Sequence, residues 1–369
     1  MSRYGIENLP YGVFSRPRGE RHLGVRLGSS VVDLTPLGGL LAAPSLQPLL
    51  AAGRAQWTAT RAAVRAFAAA GPERIPLSEV TLHLPFEVAD YTDFYSSEQH
   101  ALNVSRILRP DSPGLPPQWR HLPIGYHGRS ATVVVSGTPI RRPAGQLGAG
   151  EFGPSRRLDI EAEVGFVVGT PGRRITTAGF AEHVFGLVLV NDWSARDLQA
   201  WEYRPLGPFL AKSFATSVSP WVVPLEALAT VEAGPQSPVP LDYLMPPGPG
   251  FDLRLAVEWN DTRVSAPPFA SMYWTAAQQL AHLTSNGASV RTGDLYASGT
   301  VSGPRRDQVG SFLELTANGA DPVKLADGSV RSFLADGDKV TITGTGVGPT
   351  GAEIGLGEVT GRVVATGSL

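Results

Sequence analysis

Three side chains that could do acid–base chemistry lie within eight positions: the Asp93 carboxyl, the Tyr95 phenol and the His100 imidazole. Ser97 is a helix-capping residue type and precedes a helical pattern over Glu98–Leu108, so His100 should lie in the first turn. The positive end of the helix dipole disfavours a charged imidazole there and leaves the neutral form that a general base needs. The alternative is a histidine in an ordinary capped helix.

Two glutamates, Glu161 and Glu163, lie two positions apart in a strand-like segment, residues 158–166. Strand alternation sends both side chains to one side, where two like charges need a cation. Asp192 ends an apolar strand-like run, where an unpaired carboxylate would be costly. Together with Asp93, these residues could form a four-carboxylate cage for a hard divalent ion, which prefers oxygen ligands. The alternative is a solvated strand face that carries both glutamates.

A polar stripe is predicted on the next helix, over residues 194–203. Ser194 can cap this helix, and Arg196, Gln199 and Tyr203 then fall along one face. A guanidinium, a carboxamide and a phenol directed at one pocket would bind carbonyl and carboxylate oxygens. The alternative is a solvent-facing stripe held by ordinary hydrogen bonds.

Three further residues are candidates for charge balance or substrate binding. Lys212 is a lone cation in a mostly apolar stretch and could balance the excess of carboxylate charge. Arg109 and Tyr126 flank a proline-rich loop, residues 110–117, and could clamp a substrate carboxylate. Contacts within a surface loop are the alternative for each of these two.

Other motifs are weak. Residues 148–153 match the glycine pattern of a dinucleotide-binding loop, but no strand leads into them and Pro154 follows. The sequence contains no Gly-x-Ser-x-Gly motif, which argues against the serine nucleophile of an α/β-hydrolase. We interpret His127 as structural.

Composition indicates the elements that position these residues. The 369 residues include 42 glycines and 32 prolines, which favours many turns between short strands. A net charge of −2 without basic blocks suggests neither nucleic acid nor a membrane surface as a partner. No cysteine is present, so disulfides and thiolate chemistry are excluded. The N-terminus lacks the apolar core of a signal peptide, and we expect a cytoplasmic protein.

The chain divides into two predicted domains, residues 1–85 and 86–369. The first has strand-like segments followed by an alanine-rich helical stretch over residues 46–70. The second is a series of short strands interrupted by two helices, over residues 194–203 and 274–286. Strand patterns in this domain cover residues 131–136, 158–168, 184–190, 253–259, 311–317 and 339–343. We therefore expect a mainly β (α+β) fold.

Taken together, these motifs resemble the fumarylacetoacetase family. The resemblance rests on an ordered set of short blocks and spans roughly residues 80–369, with the first domain weaker. The blocks are DYTDFYSS at 90–97, HLPIGYHGR at 121–129, SGTPIRRP at 136–143, NDWSARD at 191–197, PLGPFL at 205–210 and ASGTVSGP at 297–304.

The resemblance implies a small SH3-like N-terminal barrel followed by a mixed β-roll, in a chain that forms a homodimer. It also implies a catalytic dyad of His100 and Glu314, with Glu314 on an apolar strand. Arg196, Gln199 and Lys212 would stabilise charge. The implied metal ligands are Asp93, Glu161, Glu163 and Asp192, with Lys212 and Thr216 at a further, structural magnesium position. The implied substrate contacts are Tyr95, Arg109, Tyr126, Gln199, Tyr203 and Thr300.

The resemblance further implies hydrolysis of a carbon–carbon bond in a small diketo acid, 4-fumarylacetoacetate, to fumarate and acetoacetate, the last step of tyrosine and phenylalanine catabolism. His100, held by Glu314, would activate water, and Ca²⁺ or Mg²⁺, with Mn²⁺ also acceptable, would stabilise the enolate leaving group. The alternatives are a related acylpyruvate hydrolase, a 2-oxo-acid decarboxylase or hydratase of the same fold, and a catalytically silent metal-binding protein.

Overall fold

The computed structural model describes residues 3–111 and 113–367 and is built mainly from β-strands. Three larger sheets and four two-stranded pairs account for the strands in this part of the chain. The α-helices are short except for one in the N-terminal region. They are Gln47–Ala51, Arg54–Ala69, Glu98–Leu108, Phe180–His183, Arg196–Glu202, Ala276–Thr284 and Phe312–Leu315.

The N-terminal region forms a five-stranded sheet against a helix pair. In spatial order its strands are Ile75–Pro76, Ser30–Asp33, His22–Leu27, Tyr11–Ser15 and Thr81–His83. The alanine-rich stretch is two helices rather than one, because Gly53 adopts φ 84° and ψ 165° between them. A positive φ suits glycine, so the chain breaks its helix there. Trp57 and Val64 on the second helix are buried in the core of this region.

An eight-stranded sheet forms the centre of the molecule. Its strands in order are Gly125–His127, Tyr91–Phe94, Leu295–Ala297, Ala162–Val168, Val184–Asp192, Thr216–Val218 and Val133–Val135, with Val223–Pro224 paired to the side of Val184–Asp192. The two central strands, Ala162–Val168 and Val184–Asp192, are buried at every residue. Burial on both faces explains why the second of them is a nearly continuous apolar run.

The central sheet has a hydrophobic core on each face. On one face Val167, Val188 and Val190 pack with residues of the N-terminal region. On the other face Val164, Leu187 and Leu189 pack with another five-stranded sheet. That sheet contains, in order, Thr262–Ser265, Arg254–Trp259, Lys339–Val347, Glu353–Val364 and Ile140–Arg141.

Four strand pairs complete the fold. They are Ala144–Gly148 with Glu151–Pro154, Leu158–Asp159 with Ser194–Ala195, Gly172–Arg173 with Ser289–Val290, and Val323–Lys324 with Val330–Arg331. The first of these covers the glycine-rich segment, so residues 148–153 belong to a β-hairpin and not to a strand–helix turn. The prediction of a mainly β fold, with a small N-terminal sheet followed by a larger β-roll, is confirmed.

Some local predictions are wrong. Glu314 lies in the helix Phe312–Leu315 and not in a strand, because the Ser311 hydroxyl accepts the Glu314 backbone N–H and caps a helical turn. Ser194 belongs to a strand and does not cap the following helix, which begins at Arg196.

Other helix and strand bounds also differ from the sequence patterns. The helix expected over residues 274–286 is Ala276–Thr284, capped by Thr275. Among the described residues, no helix is both long and apolar enough to cross a bilayer.

Candidate active site

Four buried carboxylates meet at the edge of the central sheet. One oxygen from each of Asp93, Glu161, Glu163 and Asp192 lies within 4.8 Å of the others. The side chains come from three strand segments that are far apart in sequence. The structure therefore brings together the four acidic residues singled out in the sequence.

Strand register explains this convergence. Asp93 pairs with Ala297, and Ala297 pairs with Gly165, two residues after Glu163. Glu163 pairs with Val190, two residues before Asp192. Paired residues of neighbouring strands share a face, and so do residues two apart in one strand, so the three acids point to the same side. Glu161 lies just before the regular strand Ala162–Val168, and its carbonyl accepts the Asp192 N–H.

Two cations contact this cluster. Lys212 Nζ lies 2.6 Å from Glu161 Oε2 and 2.8 Å from Asp192 Oδ2. Arg196 Nη1 lies 2.8 Å from Glu161 Oε1. Burial opposes ionisation of Glu161, but the charges of Lys212 and Arg196 outweigh it and hold the Glu161 pKa far below its ordinary value. A metal ion binds its carboxylate ligands in the ionised form, and with all four ionised the two cations leave two negative charges, which one divalent cation would balance.

Several carboxylate oxygens have no hydrogen-bond partner among the described residues. They are Asp93 Oδ1 and both oxygens of Glu163. Burial, reinforced by the neighbouring carboxylates, raises the pKa of Asp93 and of Glu163 well above the ordinary values. Buried carboxylate oxygens without donors fit a hard metal ion, which binds such oxygens directly. The residues present therefore suit a divalent cation with oxygen ligands.

The two residues predicted at a further magnesium position lie beside Asp192. Thr216 Oγ1 is 3.4 Å from Asp192 Oδ1. The carboxylates of Asp192 and Glu161 raise the Lys212 pKa against the opposing effect of burial, so its side chain remains an ammonium. An ammonium has no lone pair for a metal. A ligand atom from Lys212 would therefore be its backbone carbonyl oxygen.

His100 and Glu314 form a buried pair next to the carboxylates. His100 Nδ1 lies 2.7 Å from Glu314 Oε2, and His100 Nε2 lies 3.9 Å from Glu161 Oε1. The helix Glu98–Leu108 has the bounds that the sequence predicts, with Ser97 Oγ accepting the His100 backbone N–H. The imidazole packs edge-to-face against Tyr95, with 5.4 Å between ring centroids. One ring nitrogen thus contacts an acid while the other faces the four-carboxylate cluster.

Glu314 has more hydrogen-bond donors than the sequence indicates. Asn103 Nδ2 donates to Oε1 at 2.9 Å, and the hydroxyls of Ser302 and Ser311 donate to Oε2 at 3.0 and 2.8 Å. Burial opposes ionisation, but His100, Asn103 and Ser311 outweigh it and lower the Glu314 pKa. An ionised Glu314 fixes the proton of His100 on Nδ1 and leaves Nε2 free to accept one.

Some of the predicted substrate contacts lie at the cluster or next to it, and others lie at the surface. Tyr126 is within the cluster, because its hydroxyl donates to Asp192 Oδ2 at 2.9 Å and lies 3.2 Å from Asp93 Oδ2. Thr300 is buried, and its hydroxyl has no hydrogen-bond partner in the described ranges. Gln199 Oε1 accepts from Arg196 Nη1 at 3.1 Å.

Two other predicted contacts lie at the surface. Tyr203 is 37% exposed. Arg109 is exposed as well, and its guanidinium bonds Ser105 Oγ in the preceding helix and the Gly114 carbonyl in the following loop.

Comparison with solved structures defines the class of fold. A fumarylacetoacetate hydrolase from psychrophilic Exiguobacterium antarcticum matches 97% of this chain and 99% of its own, with a TM-score of 0.60 and 18% identity. A maleylpyruvate hydrolase from Sphingobium sp. SYK-6, solved with manganese(II) and pyruvate, matches 96% of this chain and 100% of its own, with a TM-score of 0.58 and 18% identity. At such identities these likenesses establish the fold alone.

Sequence comparisons define the family. Residues 7–85 match the model for "Fumarylacetoacetase N-terminal", and residues 90–364 match "Fumarylacetoacetate (FAA) hydrolase C-terminal". Human fumarylacetoacetase is 44% identical over 98% of this chain and 96% of its own length, and the Caenorhabditis elegans protein is 43% identical over 98% and 97%. The chain belongs to the fumarylacetoacetase family of hydrolases.

Proposed function

We propose that the protein hydrolyses the carbon–carbon bond of 4-fumarylacetoacetate to give fumarate and acetoacetate, with a divalent cation at the four-carboxylate cluster. The observation that carries the proposal is the orientation of His100, whose Nδ1 contacts Glu314 and whose Nε2 faces the cluster. Relatives at 40–44% identity over nearly the full chain that bear the name fumarylacetoacetase support it.

The cation would be held by Asp93, Glu161, Glu163 and Asp192. When bound, it supplies positive charge that stabilises the diketone oxygens as the bond breaks. Ca²⁺, Mg²⁺ and Mn²⁺ all accept oxygen ligands, and the buried carboxylate oxygens without donors are the feature that favours one of them here. Lys212 and Thr216 are proposed at a further, structural cation position.

His100 acts as the general base in this proposal. Glu314 holds the Nδ1 proton and orients the ring, so Nε2 can take a proton from a water molecule between the imidazole and the cluster. The water oxygen attacks the fumaryl carbonyl carbon. The bond to the methylene carbon then breaks with its electron pair staying on that carbon, which takes a proton from the Lys212 ammonium as acetoacetate leaves. The proton that His100 took from water then restores the ammonium.

Arg196, Gln199 and Lys212 stabilise the negative charge that develops during attack. Arg196 is well placed because its Nη1 is fixed by Glu161 while its buried Nη2 has no partner in the described part of the chain. A buried donor without an acceptor is available to a developing oxyanion. Lys212 is held at the four-carboxylate cluster by Glu161 and Asp192.

The remaining assignments complete the proposal. Tyr95, Arg109, Tyr126, Gln199, Tyr203 and Thr300 would contact the substrate. Residues 1–85 and 86–369 would form two domains. We further propose that two chains pair as a homodimer.

Product analysis tests the proposed function. The metal-depleted protein is incubated with fumarylacetoacetate, an acylpyruvate or oxaloacetate, each with Ca²⁺, Mg²⁺ or Mn²⁺. The proposal predicts fumarate and acetoacetate from the first substrate as the fastest reaction. Decarboxylation of oxaloacetate with no cleavage of the diketone would favour a 2-oxo-acid decarboxylase of the same fold, and fastest cleavage of the acylpyruvate would favour an acylpyruvate hydrolase.

A further inference from the structure

A fifth buried acid, Asp159, connects two parts of the candidate site without belonging to the four-carboxylate cluster. Its side chain has no exposed surface. Oδ1 accepts the backbone N–H groups of Ile160 and Phe312, each at 2.7 Å. Oδ2 accepts the Leu313 N–H at 3.0 Å and Arg196 Nε at 2.8 Å. All four donors lie within hydrogen-bonding distance of one carboxylate.

The Arg196 contact fixes one side of the site. The guanidinium is held between two acids, with Nε on Asp159 and Nη1 on Glu161. Two such contacts determine the plane of the group, because guanidinium N–H groups have a rigid geometry. Arg196 follows the short strand Ser194–Ala195, which itself pairs with Leu158–Asp159. This short strand pair thus places both the arginine and its acceptor.

The backbone contacts fix the other side. Phe312 and Leu313 are the first two residues of the helical turn that carries Glu314. Both N–H groups lie at the start of that turn, where no intrahelical acceptor exists, so Asp159 satisfies donors that would otherwise be buried without partners. The position of the turn determines where the Glu314 carboxylate meets His100 Nδ1.

We propose that Asp159 is a positioning residue that aligns Arg196 and the His100–Glu314 dyad with each other. The inference rests on the proposed function, in which one of these groups stabilises the oxyanion and the other activates water. Without the Asp159 carboxylate, Arg196 Nε on one side of the site and the N–H groups of Phe312 and Leu313 on the other lose their acceptor. The guanidinium and the turn then shift together, although neither Arg196 nor Glu314 has been changed.

Asp338 provides a matched control. It is 2% exposed and also accepts four hydrogen bonds, one of them from an arginine: Trp259 Nε1 at 3.1 Å, Asn260 Nδ2 at 2.8 Å, Arg331 Nε at 3.2 Å and Ala335 N at 2.8 Å. Trp259 stacks on Phe312, with ring centroids 4.0 Å apart. Asp338→Asn therefore disturbs packing near the Glu314 turn but removes no hydrogen bond from that turn or from Arg196.

The test compares Asp159→Asn with Asp338→Asn in the full chain. The first readout is the proton NMR resonance of the His100 Nδ1–H bonded to Glu314, assigned by its loss in His100→Gln. The second is kcat for fumarylacetoacetate with metal present. Asp159→Asn is expected to move or broaden the resonance and to lower kcat about 10–100-fold, the usual effect of removing a group that orients a site residue. Asp338→Asn should leave the resonance in place and kcat within about twofold of the wild type.

The results for the two variants decide whether Asp159 is a positioning residue. If Asp159→Asn keeps the wild-type resonance, or if both variants lose activity to the same extent, Asp159 is an ordinary structural acid. If Asp159→Asn is unfolded, the test is repeated with Asp159→Ser, whose side chain places no amide donor against Arg196. Unfolding of both variants would also overturn a positioning role. Failure of the wild type to cleave the substrate would refute the proposed function, whereas the resonance would still decide on Asp159.

Discussion

Replacement of Glu163 by glutamine should raise protein stability without metal, and metal should remove most or all of that gain. Both Glu163 oxygens are buried and have no hydrogen-bond donor in the described residues, and the neighbouring acids add repulsion. Without metal, an amide of the same shape avoids the cost of either burying the charge or protonating the acid, and it can donate to a nearby carboxylate. Glu163→Gln should therefore raise the free energy of unfolding at pH 7 by roughly 1–3 kcal/mol, the penalty of a buried polar group without a partner.

The pH dependence of this gain follows from the direction of the pKa shift. The Glu163 pKa is raised in the folded protein. The contribution of the Glu163 side chain to the free energy of unfolding is therefore fully present below the ordinary glutamate pKa, and it is lost as the pH rises through the pKa of the folded state. The advantage of Glu163→Gln should therefore be greatest at neutral pH. It should disappear below about pH 4, where glutamate is protonated in both states.

With metal this gain is offset, because the glutamine is a poorer ligand and the cation stabilises the variant less than the wild type. A cation present at 100 times its dissociation constant stabilises the wild type by about 2.7 kcal/mol. If the substitution weakens binding by about 100-fold, the same cation concentration stabilises the variant by only about 0.4 kcal/mol. Metal should thus shift the stability difference by about 2.3 kcal/mol in favour of the wild type.

The assay is urea unfolding followed by fluorescence of the seven tryptophans, with chelator or with added Ca²⁺, Mg²⁺ or Mn²⁺. Asp338→Asn is the control, because it removes a fully hydrogen-bonded acid and should lower stability equally in both conditions. If metal raises the free energy of unfolding of Glu163→Gln as much as that of the wild type, Glu163 is not a metal ligand. A variant that is less stable than the wild type in chelator would contradict the predicted gain in stability.

Three other substitutions test individual parts of the site. His100→Ala should keep the fold and the metal affinity but lower turnover about 10²–10⁴-fold, measured as decay of diketone absorbance, and unchanged turnover would end its assignment as the base. Glu161→Gln should weaken metal binding in calorimetric titration and recover part of its activity at higher metal concentration; a titration identical to the wild type would count against the cluster as the binding site. Ser302→Ala removes one of the donors to Glu314 and should destabilise the protein by about 0.5–1.5 kcal/mol with a smaller loss of turnover than His100→Ala, so an equal loss would contradict its supporting role.

The sequence predicts those parts of the site that depend on short-range patterns. Ser97 at the start of a helical pattern places His100 in the first turn, and the structure has that helix with the expected bounds. The alternation around Glu163 and the apolar run that ends at Asp192 place these two acids on buried strands, and Glu161 lies just before the first of them. These predictions succeed because one element alone determines each of them.

Ambiguous local patterns explain the errors. Four residues around Glu314, of which three are apolar, fit a buried strand as well as a buried helical turn. The Ser311 cap, with Glu314 three positions later, is the signal that could have distinguished them. Ser194 has the residue type of a cap, but its hydroxyl donates to the Asp192 carbonyl while its backbone pairs with Asp159.

Long-range contacts account for what the sequence does not reveal. Asn103 and Glu314 are 211 residues apart, and the Phe312 N–H reaches an Asp159 oxygen across 153 positions. Asn103 lies three residues after His100 in the same helix, so the sequence could have indicated that both side chains lie on one helix face. Asp159 gives no such signal, because its four donors come together only when the strand pairs and the Glu314 turn are packed.

The most direct test of the account is the yield of fumarate and acetoacetate from fumarylacetoacetate, measured with metal, with chelator and after metal is restored to the same sample. We expect equimolar products with metal, loss of turnover in chelator and recovery when metal is added back. Equal turnover in chelator, or consumption of the substrate without equimolar fumarate and acetoacetate, would contradict it.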